Sequence, residues 1–249
     1  MIENEAIGDE KERVQTVLQR FPQNFTGLGR MRNHTVKLHT KPDVKPVIDA
    51  PRPTPYHMEE RANTALQQML ENGVIEPHPI DEPTPWISNT VLCPKDDGSL
   101  RVTLDARNVN KAIQSSNLPI PKQEDIKAKL SHKKYFSKLD FKSAFWQLTL
   151  APESRHMTTF RMLGKLFRYT VLTMGLIKPA QGELNAALLP LFAHIHDVHL
   201  IHDDLIIATD TIDEHISALE AVMIAIADSG LTLNPSKCRF LQREIHFWV

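Results

Sequence analysis

The spacing of apolar residues predicts a chain of short strands and amphipathic helices with no single dominant period. Val14, Val17, Leu18 and Phe21 recur at helical spacing and predict a short helix over residues 11–21. Ala65, Leu66, Met69 and Leu70 do the same within residues 57–72, with Gly73 as the stop. From Trp86 onward the apolar runs shorten. Residues 87–93 and 100–104 flank Lys95-Asp96-Asp97-Gly98-Ser99, and Asp-Gly between two apolar runs predicts a hairpin. Residues 135–139 predict a strand that ends on Asp140. Residues 157–161 and 166–172, around Leu163-Gly164-Lys165, predict a second hairpin. Residues 180–195 predict a helix interrupted or ended near Pro190. Residues 198–201 and 205–208 predict a third hairpin, with His202-Asp203-Asp204 at its tip. Residues 213–229 are amphipathic through Ile216, Leu219, Val222, Met223 and Ile226, with Gly230 at the left-handed position after the helix.

Proline marks what is not regular. Clusters at Pro42, Pro46, Pro51, Pro53 and Pro55, and at Pro77, Pro79, Pro83 and Pro85, must be extended or turning. The chain of 249 residues therefore reads as an N-terminal lead-in over 1–85 (helix, proline-rich linker, helix) followed by an α+β region over 86–249. With 41% hydrophobic and 24% charged residues the composition is that of a globular protein, excluding a disordered or fibrous chain. No apolar run approaches a membrane span, and Met1-Ile2-Glu3-Asn4-Glu5 is not the start of a signal peptide. Two distant cysteines, Cys93 and Cys238, give neither a disulfide framework nor a cysteine zinc site and point to an intracellular, cytoplasmic home. A net charge of −1 does not announce a polyanion partner, although the lysines at 122, 127, 129, 133, 134, 138 and 142 crowd one stretch.

The chemistry-bearing residues are carboxylates. Asp140 closes an apolar strand, and Asp203-Asp204 sits on an apolar hairpin. Three carboxylates from two strand ends suit a pair of magnesium ions, which take oxygen ligands and lie roughly 3.5–4 Å apart where they clamp the attacking and leaving oxygens of phosphoryl transfer. Taken singly, the residues favour the plainer reading, Asp140 as a helix cap at Phe141 and Asp203-Asp204 as a solvated turn. His194, His196, His199 and His202 beside the aspartates raise a different reading, a histidine-ligated metal hydrolase. Their steps of two, three and three across a helix end, a turn and a strand do not converge on one point.

The surroundings of the aspartates resemble a known family. Tyr135-Phe136-Ser137-Lys138-Leu139-Asp140-Phe141-Lys142-Ser143-Ala144-Phe145-Trp146-Gln147 resembles the first catalytic motif of reverse transcriptases from gypsy-type long-terminal-repeat retrotransposon Pol polyproteins. Leu200-Ile201-His202-Asp203-Asp204-Leu205-Ile206 falls where that family carries an aromatic-x-Asp-Asp hairpin, with Ile201 in the aromatic's place. Met174-Gly175-Leu176-Ile177-Lys178-Pro179-Ala180 is similar to the motif between them. Residues 91–101 and 105–111 resemble the fingers hairpin and its continuation, and residues 230–238 the stretch that closes the palm.

The resemblance implies an α+β fold of polymerase fingers and palm, an antiparallel palm sheet backed by helices, with fingers over about 86–134 and 157–172. Since the family continues beyond the equivalent of Val249, neither thumb nor RNase H is expected here. It implies an RNA-directed DNA polymerase, a nucleotidyltransferase using two Mg2+ ions, with Mn2+ as a substitute. Asp140 and Asp203 would be principal metal ligands, Asp204 the less direct carboxylate, and the Phe141 carbonyl a further ligand. Lys95 and Arg101 would meet the incoming triphosphate, where a point charge and a planar fork suit phosphate. Ala144, Phe145 and Met174 would line the nucleotide site, Phe145 under the sugar as a barrier to a 2′-hydroxyl. Gly175, Lys178, Ile201 and His202 would touch template or primer, as would the lysines of 122–142. The implied partners are an RNA or DNA template with primer, dNTPs and the remainder of a Pol polyprotein, with no membrane and a location within retroelement particles as one possibility. A catalytically inactive, nucleic-acid-binding remnant of the same fold is the alternative.

Overall fold

Turns and apolar alternation set the elements of the computed structural model, which describes residues 2–114, 129–201 and 203–245, excepting the side chains of 2–7, 177–179 and 181. In chain order these are α1 (Ile2–Gln19), β1 (Thr35–Val36), α2 (Glu59–Glu71), β2 (Ile75–Pro77), β3 (Thr90–Pro94), β4 (Leu100–Leu104) and α3 (Arg107–Ala112). There follow β5 (Tyr135–Asp140), β6 (Thr149–Leu150), α4 (Pro152–Arg155), β7 (Phe160–Met162), β8 (Lys165–Tyr169) and α5 (Ile177–Phe192). Last come β9 (Val198–Ile201), β10 (Asp204–Thr209), α6 (Ile212–Ser229) and β11 (Arg239–Gln242). They group into two compact units, one of residues 1–33, 118–144 and 184–249, the other of 34–117 and 145–183. The first 85 residues are thus shared between both units.

The first unit is built on an antiparallel sheet of order β11-β5-β10-β9. Side chains alternate across its faces. Leu139, Leu205 and Ile207, all fully buried, share one face with Ser137 and Thr209, and α6 covers that face with Leu219, Val222, Met223 and Ile226. His215 of α6 bridges the two hydroxyls, Nε2 at 2.7 Å from Ser137 Oγ and Nδ1 at 3.1 Å from Thr209 Oγ1. On the opposite face Phe136, Ile206 and Ala208 pack with Leu130, against which Ile201 and Ile245 also lie. Helix α6 opens with a capping box, Thr211 accepting from the Glu214 N–H while Glu214 accepts from that of Thr211, and ends on Gly230 at φ 77°. Helix α1 lies along α6 through Arg13–Asp213 and Arg20–Glu220 ion pairs.

The second unit holds a three-stranded sheet β2-β8-β7, the β3–β4 hairpin and the short parallel pair β1–β6. Phe160 stacks against Phe167 and Tyr169 at 5.9 and 5.4 Å between ring centres. Helix α2 buries Ala62, Ala65, Leu66 and Met69, the stripe expected from the sequence.

Four expectations are corrected. Helix α1 begins at Ile2, nine residues before the expected start at 11. Residues 156–158 form a 3₁₀ turn, not the start of a strand, because Thr158 Oγ donates to the Arg155 carbonyl at 2.7 Å and accepts from the Tyr169 N–H at 2.9 Å, replacing a ladder bond. Helix α5 starts at Ile177 and runs through Pro190 to Phe192. Proline in a last turn removes one N–H and is tolerated while Leu188 and Phe192 stay buried. Asp204 is not at a hairpin tip: it is the first residue of β10, paired with Ile201, so of the two aspartates only Asp203 lies in the turn.

Candidate active site

Strand register brings the first carboxylates together. Asp204 lies directly opposite Asp140 on β5 and opposite Ile201 on β9. Directly opposed residues share a face with Cβ atoms about 4.5–5.5 Å apart. Since Leu139 and Leu205 point at α6, Asp140 and Asp204 point away from it, and Asp203 is exposed in the adjoining turn. The backbone at Asp140 is held on both sides. Its N–H donates to Cys238 Sγ at 3.4 Å and its carbonyl accepts from the Asn234 N–H at 2.8 Å. The next two residues are tied to the same segment, Phe141 by a bridge to Leu233 and Lys142 by donating its N–H to the Thr232 carbonyl.

Electrostatics mark this strand end. Burial pushes the Asp140 carboxyl above its ordinary pKa; Asp204 and Asp203 add to the rise, while Lys237 and Lys138 oppose it. Burial also pushes the neighbouring Cys238 thiol up to about 11, so it stays protonated. Lys138 Nζ reaches Asp204 Oδ2 at 2.5 Å, with both side chains about a quarter exposed, and Lys237 Nζ lies 3.7 Å from Asp140 Oδ2. Among the described residues no three His, Cys, Asp or Glu side chains are grouped to hold a metal ion; Asp140 and Asp204 are engaged by lysines instead. The donor chemistry nevertheless fits a hard divalent cation: the candidates are carboxylate oxygens, with Asp203 and Asp204 adding negative charge beside Asp140. Of the four histidines, His202 lies outside the described residues, and His199 on β9 is half-buried, with no partner for Nε2 among the described residues and its pKa lowered by burial.

The other sequence candidates fall as follows. Phe141 is buried, its ring 6.2 Å from that of Phe192, and Ala144 is buried at the start of a 3₁₀ turn that contains Phe145. Phe145 is half-buried in the second unit. Lys95 and Arg101 sit together on the β3–β4 hairpin, Arg101 opposite Cys93, beside a cavity of about 430 Å³ lined by both cations together with Cys93, Pro94, Asp96 and Asp97. Gly98 at φ 81° closes that hairpin. Met174 is half exposed, and Gly175 is fixed by close packing: a Cβ there would stand 2.3 Å from the Leu104 carbonyl oxygen, while the Gly175 carbonyl accepts from Asn110 Nδ2 at 2.8 Å. The Lys178 side chain lies outside the described residues, as do Lys122 and Lys127. Lys133 and Lys138, read from sequence among the backbone-contact lysines, have acids of the protein as partners, Lys133 with Asp197 and Asp210. The sequence reading missed the engagement of Asp204 by Lys138, although a residue two before Asp140 on a strand must share its face.

Residues 93–248 match the family described as reverse transcriptase (RNA-dependent DNA polymerase). The chain is 30% identical over 210 residues to the retrovirus-related Pol polyprotein from transposon 297 of Drosophila melanogaster, covering 81% of this chain and 19% of that protein. It is 26% identical over 197 residues to the transposon Tf2-3 polyprotein of Schizosaccharomyces pombe, covering 78% of this chain and 14% of that one. The chain therefore spans a fifth or less of the length of these relatives. Among solved structures, native prototype foamy virus protease–reverse transcriptase is similar with a TM-score of 0.83 and 25% identity, over 94% of this chain and 31% of that one. The foamy viral protease–reverse transcriptase in complex with RNA/DNA hybrid gives a TM-score of 0.84 at 21% identity, over 96% and 32%. With the family match covering more than half its length, an antiparallel sheet that opposes Asp140 to Asp204, and relatives among retrotransposon Pol polyproteins, the chain belongs to the reverse transcriptase (RNA-dependent DNA polymerase) family.

Proposed function

We propose that this chain carries the polymerase centre of a retroelement Pol polyprotein, an RNA-directed DNA polymerase that adds dNTPs to a primer paired with an RNA or DNA template. The observation that carries the reading is the opposition of Asp140 and Asp204 on adjacent strands, with Asp203 in the turn beside them. The primer 3′-oxygen forms a bond to the α-phosphorus of the dNTP, the bond to the β-phosphate oxygen breaks, and pyrophosphate leaves. Asp140 and Asp203, with the Phe141 carbonyl and less directly Asp204, would hold two Mg2+ ions, for which Mn2+ can substitute. When bound, such ions stabilise charge on the attacking and leaving oxygens. The protein's own part is positioning and fixed electrostatics. The Asn234 and Cys238 contacts hold the Asp140 backbone, and buried Leu139 and Leu205 fix the strand register.

In the same reading Lys95 and Arg101 bind the triphosphate, Ala144, Phe145 and Met174 contact the nucleotide, and Gly175, Lys178, Ile201 and His202 face template or primer. The fingers would comprise residues 86–134 and 157–172 and the palm the remainder of 86–249. Support comes from the clustering of Lys95 and Arg101 on one hairpin and from the RNA/DNA hybrid carried by the foamy viral relative. The test is primer extension on a poly(rA) template with Mg2+ or Mn2+, with Asp140→Asn as control. Incorporation that Asp140→Asn abolishes supports the reading. Binding of primed template without incorporation selects the inactive remnant instead.

A further inference from the structure

We propose that Lys138 is a built-in counter-ion of the carboxylate pair, a positioning residue that holds Asp204 back and keeps Asp140 and Asp204 apart in charge until a divalent cation arrives. The inference rests on the function proposed above and concerns the same strand ends. Lys138 and Asp140 are two residues apart on β5, so their side chains project from one face. The residue opposite Lys138 is Ile206, and Asp204 is the diagonal neighbour, within reach of a long side chain. The ammonium takes that diagonal, 2.5 Å from Asp204 Oδ2. Both groups are about three-quarters buried, so solvent screens the pair less than an exposed one.

The arrangement has a charge logic. Two carboxylates held opposite each other by strand register cannot move apart, because the buried leucines between them and α6 fix the backbone. Their repulsion must be met locally. Lys138 meets it on the Asp204 side, and Lys237 lies at 3.7 Å on the Asp140 side, largely exposed and so more readily displaced. An arriving cation therefore meets the exposed Asp203 and Asp140, whose lysine contact is the longer and more exposed one, while Asp204 is retained by Lys138. Lys138 thus lowers the affinity of the empty site for metal while stabilising the metal-free fold.

Two readouts test this on the whole chain: Mn2+ binding followed by electron paramagnetic resonance without nucleotide or primer, and melting temperature with and without Mn2+. Lys138→Met should bind Mn2+ roughly 3- to 10-fold tighter, the scale of losing one partly screened ion pair. Its melting temperature should fall without metal and recover toward the wild type at saturating Mn2+. Lys138→Arg should behave as the wild type. Lys138→Gln, which keeps a polar tip, serves if Lys138→Met does not fold, with the same expected tightening. Lys133→Met, which breaks a pairing with Asp197 and Asp210, should leave Mn2+ affinity unchanged. Equal or weaker Mn2+ binding by Lys138→Met or Lys138→Gln overturns the proposal and leaves Lys138 as a surface ion pair. A wild-type chain that binds no Mn2+ at all counts instead against the metal-dependent function itself.

Discussion

Asp140 is held in a half-buried site where burial first, and its neighbours Asp204 and Asp203 after it, raise its pKa, and a neutral amide there would lose the charge that a cation would meet. Asp140→Asn or Asp203→Asn is expected to reduce incorporation by more than the roughly 10–100-fold seen when a residue behind a ligand is changed. Primer extension measures it, and near-normal extension by either variant removes that carboxylate from the site. Arg101 makes a different demand. It stands opposite Cys93 on an exposed hairpin and beside Lys95 at one cavity. Arg101→Ala should raise the apparent KM for every dNTP and leave primer–template affinity unchanged, because a charge-assisted phosphate contact is what goes missing. Loss of duplex affinity at constant nucleotide kinetics would move Arg101 to the nucleic-acid track. Ile201, by contrast, packs against the Leu130, Phe136, Ile206 and Ala208 cluster. An isoleucine at this position is thus accommodated by that cluster.

Among the elements, α6 carries the most explicit design. Its capping box satisfies two N-terminal N–H groups through Thr211 and Glu214, and Thr211→Ala should destabilise the protein by about 1 kcal/mol. At the other end Gly230 combines φ 77° with close packing, since a Cβ would stand 2.6 Å from the Arg30 carbonyl oxygen. Gly230→Ala should therefore cost more than the cap, beyond ~1 kcal/mol. Thermal melts of the two variants rank them, and the reverse order would mean that the 30–32 segment yields easily. The same Arg30 and Arg32 N–H groups donate to the Gly230 and Ser229 carbonyls, which is why that segment is fixed.

Across the whole molecule, stability should depend on pH through His215. Burial holds its pKa at about 4, against an ordinary 6.5. The neutral ring is bonded between Ser137 and Thr209 in the folded chain, while the unfolded chain takes up a proton below pH 6.5. The unfolded state then binds more protons, so stability falls as pH drops from about 6.5 toward 4 and the His215 contribution levels off below. The loss is on the order of 3 kcal/mol. Melting temperatures of wild type and His215→Gln, compared across that window, should converge as pH falls; parallel curves would show that His215 is not the group responsible. No helix among the described residues is long and apolar enough to cross a membrane.

Local signals were enough for the hairpins and most of the helices. Asp97-Gly98 and Leu163-Gly164 encode turns because their backbone needs lie within four residues, and Gly230 ends α6 for the same reason. The motif blocks around Asp140 and Asp203-Asp204 likewise carry the family in the sequence itself, since a strand end and its hairpin are short contiguous stretches. Register was not legible in that way. Which residue of Asp203-Asp204 faces Asp140 depends on how β10 slides along β5, and the burial of Leu139, Leu205 and Ile207 under α6 decides it. Thr158 was misread because a side-chain hydrogen bond overrides local propensity, whereas the helix does end near Pro190, as expected. The engagement of Asp204 by Lys138 and the anchoring of Asp140 by Asn234 and Cys238 join residues from separate strands and loops. Sequence by itself determined the residues that bring charge to this site; only the folded sheet decided which charges meet, because pairing across strands is set by the packing of both faces at once.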